Sequence, residues 1–414
     1  STGPGHRIEM PQNTPVLHPY PASHSTTCST SQRAPAGAAL ACSWNDCMSL
    51  GLYIHIPFCN SRCPYCDFAF VVRKNHLAER YTNAVITELQ NQINSFETPP
   101  IFNTVYFGGG TPSAIPPATL LRILQNVQCA PNAEITVEAN PNDQMHFEAL
   151  YKHGINRLSL GVQAFTDRAL KALGRFHNTT DAIDAFNTAR KVGFKNIGID
   201  LIFSAPEQTH EEWKNTLDKT TELNPEHISV YGLTIEPETN FARRFKKGQL
   251  HLPTETDQAD MYMYAIDHLE AAGYEHYEIS NFAQPGFASR HNLCYWQELP
   301  YWGVGLSAHS YLNNRRAWNV RDLITYMERI ETTGSALEEE ETITPSDHLL
   351  ERLMLGLRQR RGVDANVLNN HKIREQYTRL SDRQLLHQVD NRICLTRRGL
   401  LLADLVCTEL AKGL

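Results

Sequence analysis

The sequence has no uninterrupted apolar run of about eighteen residues, so no part of it is suited to crossing a membrane as a helix. Basic charge is not in excess: 38 Lys and Arg face 45 Asp and Glu, a net charge of -7. A surface made for phosphates would push that balance the other way, which argues against nucleic acid as the main partner. Ten cysteines in 414 residues are too few and too scattered for a disulfide framework, and this usage fits a reducing compartment. The first 46 residues have neither apolar periodicity nor the apolar core of a secretory signal. Rich in Pro, Ser, Thr, Ala and His, they read as a disordered extension over residues 1–48. That stretch is poor in acids, as an organelle presequence would be, but has only Arg7 and Arg33 and several prolines that would break an amphipathic helix. Cys28, Cys42 and Cys47 lie in or beside it.

What the sequence does have is three cysteines in eight residues. Cys59, Cys63 and Cys66 follow an apolar, strand-like run, Leu52-Tyr-Ile-His-Ile56, and Pro57 and Pro64 prevent a continuous helix. The thiols therefore belong to a loop after a strand. Three thiolates favour an iron–sulfur cluster, because a closed zinc site takes four protein ligands, usually as two separated pairs. No second pair follows, since Cys129, Cys294, Cys394 and Cys407 are isolated. Zinc completed by the neighbouring His55 is the alternative.

Beyond the loop the pattern alternates. A helical run spans about 76–96, a strand ends in Gly108-Gly109-Gly110-Thr111, and further strands are expected near 134–138, 157–161, 196–203 and 227–233. Helical stretches lie between them at about 117–128, 145–152, 181–192 and 210–221. Repeated β-then-α order predicts a parallel sheet with outer helices and chemistry at the strands' C-terminal ends. Polar residues sit at those ends. Gly109, Gly110 and Thr111 could bring backbone amides to a ligand, and Glu138 could accept from a ribose diol. Gln163, Arg175 and Asp200 each lie just after or within an apolar run. Glu236, Glu238 and the stretch 274–278 read as solvated edges.

The spacing Cys59-x3-Cys63-x2-Cys66, followed by an aromatic residue, resembles the radical S-adenosylmethionine (SAM) superfamily. The resemblance implies that the three thiolates hold three irons of a [4Fe-4S] cluster, leaving the fourth iron to chelate SAM. Across about 50–310 the ordered motifs Tyr53-x-His-Ile-Pro-Phe-Cys59, Gly108-Gly-Gly-Thr-Pro-Ser113, Val137-Glu-Ala-Asn-Pro141, Ser159-Leu-Gly-Val-Gln163, Gly174-Arg-Phe-His177 and Asp200-Leu-Ile202 are similar to its oxygen-independent coproporphyrinogen oxidase (HemN-like) branch. By that likeness Tyr53, Tyr65, Gly109, Gly110, Thr111, Glu138, Gln163, Arg175 and Asp200 are implied SAM contacts. The family's Asp-Leu-Ile-x-Gly-Leu-Pro reads here Asp200-Leu-Ile-Phe-Ser-Ala-Pro206, a local departure.

Within that branch, coproporphyrinogen dehydrogenases have a fourth cysteine two residues after the third and a structured N-terminal extension. This chain has Phe68 at that position and a Pro- and Ser-rich start, and so looks more like the paralogous heme chaperones. His291-Asn-Leu-Cys-Tyr-Trp296 is similar to the His-Asn-x-x-Tyr-Trp motif implicated there in heme binding, which makes His291 the expected axial ligand, with Cys294 and His309 as rivals. A satisfied packing histidine in an aromatic core is the plain alternative.

Residues 331–341 form an acidic stretch that reads as a solvated hinge. Helical periodicity follows over 345–357, and a Leu-Thr-x-x-Gly pattern near 395–399 resembles a winged-helix-like domain. The expected architecture is thus α/β. A partial (β/α) TIM-like barrel of the radical SAM type spans 49–282, a barrel extension 283–335, and a small, mainly helical C-terminal domain 336–414. The expected function is that of a cytoplasmic heme chaperone carrying a [4Fe-4S] cluster and SAM. Its partners would be heme and an acceptor (respiratory) hemoprotein, with peripheral membrane contact and a homodimer left open. Oxygen-independent coproporphyrinogen III dehydrogenase is the second reading, and a protein with a purely structural metal site the third.

Overall fold

The structure, a computed structural model, describes residues 50–412 and Leu414. The expected disordered extension, with Cys28, Cys42 and Cys47, lies outside the described residues. Six parallel strands make the centre: β1 (Gly51–Ile56), β2 (Phe102–Gly109), β3 (Cys129–Ala139), β4 (Arg157–Gln163), β5 (Ile197–Phe203) and β6 (His227–Gly232). Each lies within a few residues of its sequence expectation, and β3 extends furthest beyond it. Further strands, paired antiparallel except where β9 meets β1, continue the sheet on both sides: β7 (Glu275–Glu278) and β8 (Asn281–Ala283) beside β6, and β9 (Tyr301–Val304), β10 (His309–Leu312), β11 (Arg315–Asn319) and β12 (Leu337–Thr342) beyond β1. β9 runs parallel to β1. The order is β12-β11-β10-β9-β1-β2-β3-β4-β5-β6-β8-β7, a sheet with two free ends.

Alternation along the strands sorts two surfaces. Leu52, Ile54, Ile56, Val105, Phe107, Val137, Leu158, Leu160, Val162, Ile199, Leu201, Ile228 and Val230 face the surrounding helices and form one apolar core with them. The intervening residues face inward and are polar: Tyr53, His55, Tyr106, Thr136, Glu138, Arg157, Ser159 and Asp200. A closed TIM barrel fills that space with branched aliphatics. Here it is kept for polar groups.

The crossover helices start where their caps dictate. Asn178 caps the helix Thr179–Val192, Thr209 caps His210–Leu223 and Thr254 caps Glu255–Ala271, each in a reciprocal capping box with the acid three residues on. Gly193, with φ of +116°, closes the first of these in the left-handed conformation that glycine alone takes without cost. The C-terminal region joins the helices Pro345–Arg358, His371–Asp382, Arg397–Leu400 and Ala403–Ala411 to a three-stranded antiparallel sheet built on the hairpin Leu386–Val389 and Arg392–Leu395, as the winged-helix-like expectation has it.

Two sequence expectations are corrected. The acidic stretch 331–341 is not a hinge: a helix, Leu323–Thr333, covers its start, and β12 carries its glutamates along the sheet edge. Cross-strand cations on β11 make a poor strand sequence pair: Arg315 contacts Glu340, and Arg316 meets Glu341 at 2.7 Å. The stretch 274–278 is not solvated throughout. Glu278 is fully buried, accepting from the Ser280 amide at 3.1 Å and from the Asn281 side chain, with Arg358 of the C-terminal region 4.0 Å away.

Candidate functional site

β1 ends at Ile56, and the chain then makes a two-residue strand, Phe58–Cys59, paired with Val71–Val72, which closes the cysteine loop at its base. His55 fixes this closure. Its Nε2 is 2.7 Å from the Ala69 carbonyl and its Nδ1 is 3.1 Å from the Tyr53 hydroxyl. The loop is also tied from outside, by the Arg321 guanidinium on the Asp67 carbonyl at 2.7 Å and by the Phe241 amide on the Pro64 carbonyl at 2.9 Å. Both ring nitrogens of His55 are thus engaged, which removes it as a fourth metal ligand.

Cys59, Cys63 and Cys66 line one wall of a cavity of about 420 Å³ at the C-terminal ends of the parallel strands. The same cavity is lined by Gly109, Gly110, Thr111, Glu138, Gln163, Arg175 and Asp200, with Tyr65 from the loop itself, and the Thr111 hydroxyl lies 3.6 Å from the Cys59 sulfur. The residues expected at the strand ends therefore meet in one place, with two exceptions. Tyr53 is 4% exposed and lies beneath the cavity, its ring stacked on Tyr106 at 6.2 Å. His291 is 1% exposed and sits lower still. Its Nδ1 lies 2.8 Å from the Thr104 hydroxyl at the start of β2, and its Nε2 lies 2.8 Å from the Tyr295 hydroxyl. Burial pushes its imidazole down to about 3. As placed, His291 is a satisfied histidine in the barrel floor, and binding a metal would require one of these two hydrogen bonds to break.

The glycine turn also differs from expectation. Its amides are already used: Gly109 donates to Glu138 at 3.2 Å, Gly110 to the Ile56 carbonyl at 2.8 Å and Thr111 to the Phe58 carbonyl at 2.9 Å. The glycines are needed for close approach instead. A Cβ at Gly110 would stand 2.7 Å from the Pro57 carbonyl carbon, and one at Gly109 2.5 Å from the His55 ring. The turn is thereby pressed against the root of the cysteine loop.

Charge in the cavity is arranged by burial. Glu138 accepts from the Tyr106 hydroxyl at 2.8 Å as well as from Gly109, and desolvation pushes its carboxyl up to about 7. Desolvation also raises Asp200, against the lowering effect of hydrogen bonds from Ser229 and Ser159, the latter at 2.9 Å. Arg175 reaches across the site, with Nη1 3.4 Å from the Cys63 sulfur and Nη2 3.0 Å from the Gly161 carbonyl and bonded to Asn140. Burial pushes the Cys59 thiol up to about 11 and Cys66 to about 12, so binding metal here would release protons. Gln163 is held at φ of +70° where β4 slips register, which turns the chain at the end of that strand. Missed by sequence reasoning were Tyr106 and Ser159, whose only signal was their inward position one step below the polar strand ends.

Among the described residues, no three His, Cys, Asp or Glu side chains are gathered tightly enough for a single ion. Tetrahedral thiolates on one zinc would stand about 3.8 Å apart. Three thiols spread along one wall, with Arg175 beside one of them and no fourth protein ligand, are a donor set suited to a multi-iron cluster with an open position.

Residues 53–220 match the Radical SAM superfamily, and residues 343–402 match the HemN C-terminal domain. The heme chaperone HemW of Bacillus subtilis is 35% identical over 85% of this chain and 96% of its own length. That of Lactococcus lactis is 38% identical over 84% and 93%, and that of Escherichia coli 35% over 74% and 81%. Among solved structures, coproporphyrinogen III oxidase (HemN) from Escherichia coli, a radical SAM enzyme, superposes with a TM-score of 0.77 at 27% identity over 89% of this chain and 91% of that one. With its cysteine loop, polar barrel and C-terminal domain all within that shared length, the chain belongs to the HemW family of radical SAM proteins.

Proposed function

We propose that this protein is a cytoplasmic heme chaperone that binds a [4Fe-4S] cluster, SAM and heme, and passes heme to an acceptor (respiratory) hemoprotein. The observation that carries the reading is the near full-length likeness to proteins named heme chaperone HemW, joined to a cavity in which Phe68 stands where HemN-like dehydrogenases have a further cysteine. Cys59, Cys63 and Cys66 would hold the cluster. Glu138 and Asp200 offer carboxylates to ribose hydroxyls, Arg175 offers positive charge beside the thiolates, and Tyr65 and the glycine turn shape the pocket around the nucleoside. When bound, the cluster and SAM supply one-electron chemistry that side chains cannot. The chain's own part is to bind, orient and exclude water.

A second reading, coproporphyrinogen III dehydrogenase, is favoured by the overlay on HemN. One experiment separates them. Anaerobically reconstituted protein is given SAM and dithionite with either coproporphyrinogen III or heme, and decarboxylated porphyrin and the Soret band are followed together. Stable heme binding without porphyrin product is the expected result. Multiple-turnover decarboxylation would replace the chaperone with the oxidoreductase.

A further inference from the structure

Two arginines are buried among the described residues. Arg316 is paired with Glu351 at 2.7 Å, as a buried cation normally is. Arg157, the first residue of β4, is 1% exposed inside the barrel. Its Nε has no hydrogen-bond partner, and no carboxylate of the described residues lies within ion-pair distance of it. A guanidinium keeps its proton when buried, so the charge stays at a cost to the fold. What it faces is set by its neighbours. The guanidinium leans toward β5, where a Cβ at Gly198 would stand 3.5 Å from its Nη2. Gly198 lies two residues before Asp200 on the same inward face, roughly 7 Å along the strand. Ser159, two residues after Arg157, donates to Asp200 at 2.9 Å. The cation is therefore one layer beneath the carboxylates of the cavity. Burial raises Glu138 and Asp200, the Asp200 charge raises Glu138 further, and the Arg157 charge is among the influences that bring both down.

We propose that Arg157 is a positioning residue of the SAM site, a fixed charge beneath Asp200 and Glu138 that brings the ionisation of both into the neutral range, where they can accept from ribose hydroxyls. The inference rests on the reading of those two residues as SAM contacts and adds the group that tunes them. Arg175 reaches the same cavity, but it lies beside the Cys63 sulfur at 3.4 Å and shares its charge with the thiolates. The other titratable groups around the carboxyls and Arg157 stay neutral. Burial pushes up the phenols of Tyr53, Tyr106, Tyr231, Tyr277 and Tyr295. It also pushes the free Cys59 thiol up to about 11, and holds down His227 and His291, the latter to about 3. Arg157 is thus kept unpaired in the fold, and its field is left for the two carboxylates above it.

The test uses the full chain with its reconstituted cluster, as parent, Arg157→Met, Arg157→Gln and Arg157→Lys. SAM affinity is measured across the neutral pH range. Over the same range, without SAM, the carboxyl bands of Glu138 and Asp200 are followed by difference infrared spectroscopy, assigned with Glu138→Gln and Asp200→Asn. In the two neutral variants the pH at which SAM affinity is half lost should move up by about one unit, with the carboxyl bands moving alike, so that SAM binds about tenfold more weakly below that midpoint. Arg157→Lys should return the midpoint toward the parent's. Arg157→Met, which replaces an unpaired buried charge by an apolar chain, should melt no lower than the parent, whereas loss of a merely structural arginine would lower it. Neutral variants that keep the parent's pH profile and carboxyl bands would overturn the role, and so would loss of the fold in both. A parent that binds no SAM would remove the reading of the cavity as a SAM pocket, while the infrared titration still decides whether Arg157 governs the two carboxyls.

Discussion

A carboxyl as deeply buried as that of Glu138 must be held by donors whenever it ionises, and Tyr106 and Gly109 hold it only in part. Its folded value, about 7, lies above its value in the unfolded chain, so its contribution to stability is full below about pH 4.5 and is lost as pH rises through about 7. Glu88, also pushed up to about 7 by burial, acts in the same direction. Thermal melts of the parent and of Glu138→Gln between about pH 5 and 8 should therefore diverge, the parent's midpoint falling relative to the variant's as pH rises through about 7, on top of the opposite slope contributed by buried histidines such as His291, held down to about 3. An unchanged slope in the variant would mean that Glu138 does not titrate in that range. At the glycine turn, Gly110→Ala puts a methyl against the Pro57 carbonyl and should displace the base of the cysteine loop. The measurable outcome is reconstituted protein with iron well below the parent's at comparable helical content. Most of the cavity's lining was legible in the sequence, because Glu138, Gln163 and Asp200 end or follow apolar runs at predicted strand ends and Arg175 stands in the motif Gly174-Arg-Phe-His177. The depth of Tyr53 was not legible, since period two tells which face a strand residue takes but not its height inside a barrel, and that of His291 is set by where the helix Arg290–Trp296 packs.

At the scale of elements, α-helix Ala78–Asn94 is fastened to the far part of the sheet by several side chains, of which Glu88 makes the most buried bonds. Glu88 accepts from the Gly305 amide at 2.8 Å, from Asn319 at 2.6 Å and from Tyr326 at 2.6 Å. Removing it strands three buried donors, and Glu88→Ala should cost about 3–5 kcal/mol, read as a shift in urea midpoint. At the other end of the extension, Arg316 bridges Glu341 on β12 and Glu351 in the helix Pro345–Arg358, each at 2.7 Å, with its own side chain 7% exposed. Arg316→Ala should speed proteolysis between β12 and that helix while leaving cluster iron unchanged. Protection equal to the parent's would show that the backbone ladder alone holds the edge. The element that sequence reading missed is this edge. Leu337-Glu-Glu-Glu-Glu-Thr342 has no strand-like alternation, and its pairing depends on Arg315 and Arg316, more than twenty positions earlier.

Across the whole molecule, one apolar core runs from Leu52 in the barrel to Leu410 in the last helix. The C-terminal region also docks through backbone, with the Ile279 amide on the Arg358 carbonyl at 2.9 Å and the Arg360 amide on the Tyr277 carbonyl at 3.0 Å. A family boundary at residue 343 is thus not a physical seam. Calorimetry of the protein should give one cooperative transition, and two resolved transitions would contradict the continuous core. The β/α order was readable because each crossover carries its own caps and turns, whereas the strands added at both ends of the sheet are short and marked by no period. One of those additions sets a schedule for synthesis. Gly51, which starts the strand leading into the cysteine loop, pairs with Thr104 on one side but with Tyr301 on the other. A ribosome adding about 5–20 residues per second delivers the second neighbour on the order of ten to fifty seconds after the loop itself has emerged. Through that interval the strand that leads into the loop has a neighbour on one side only.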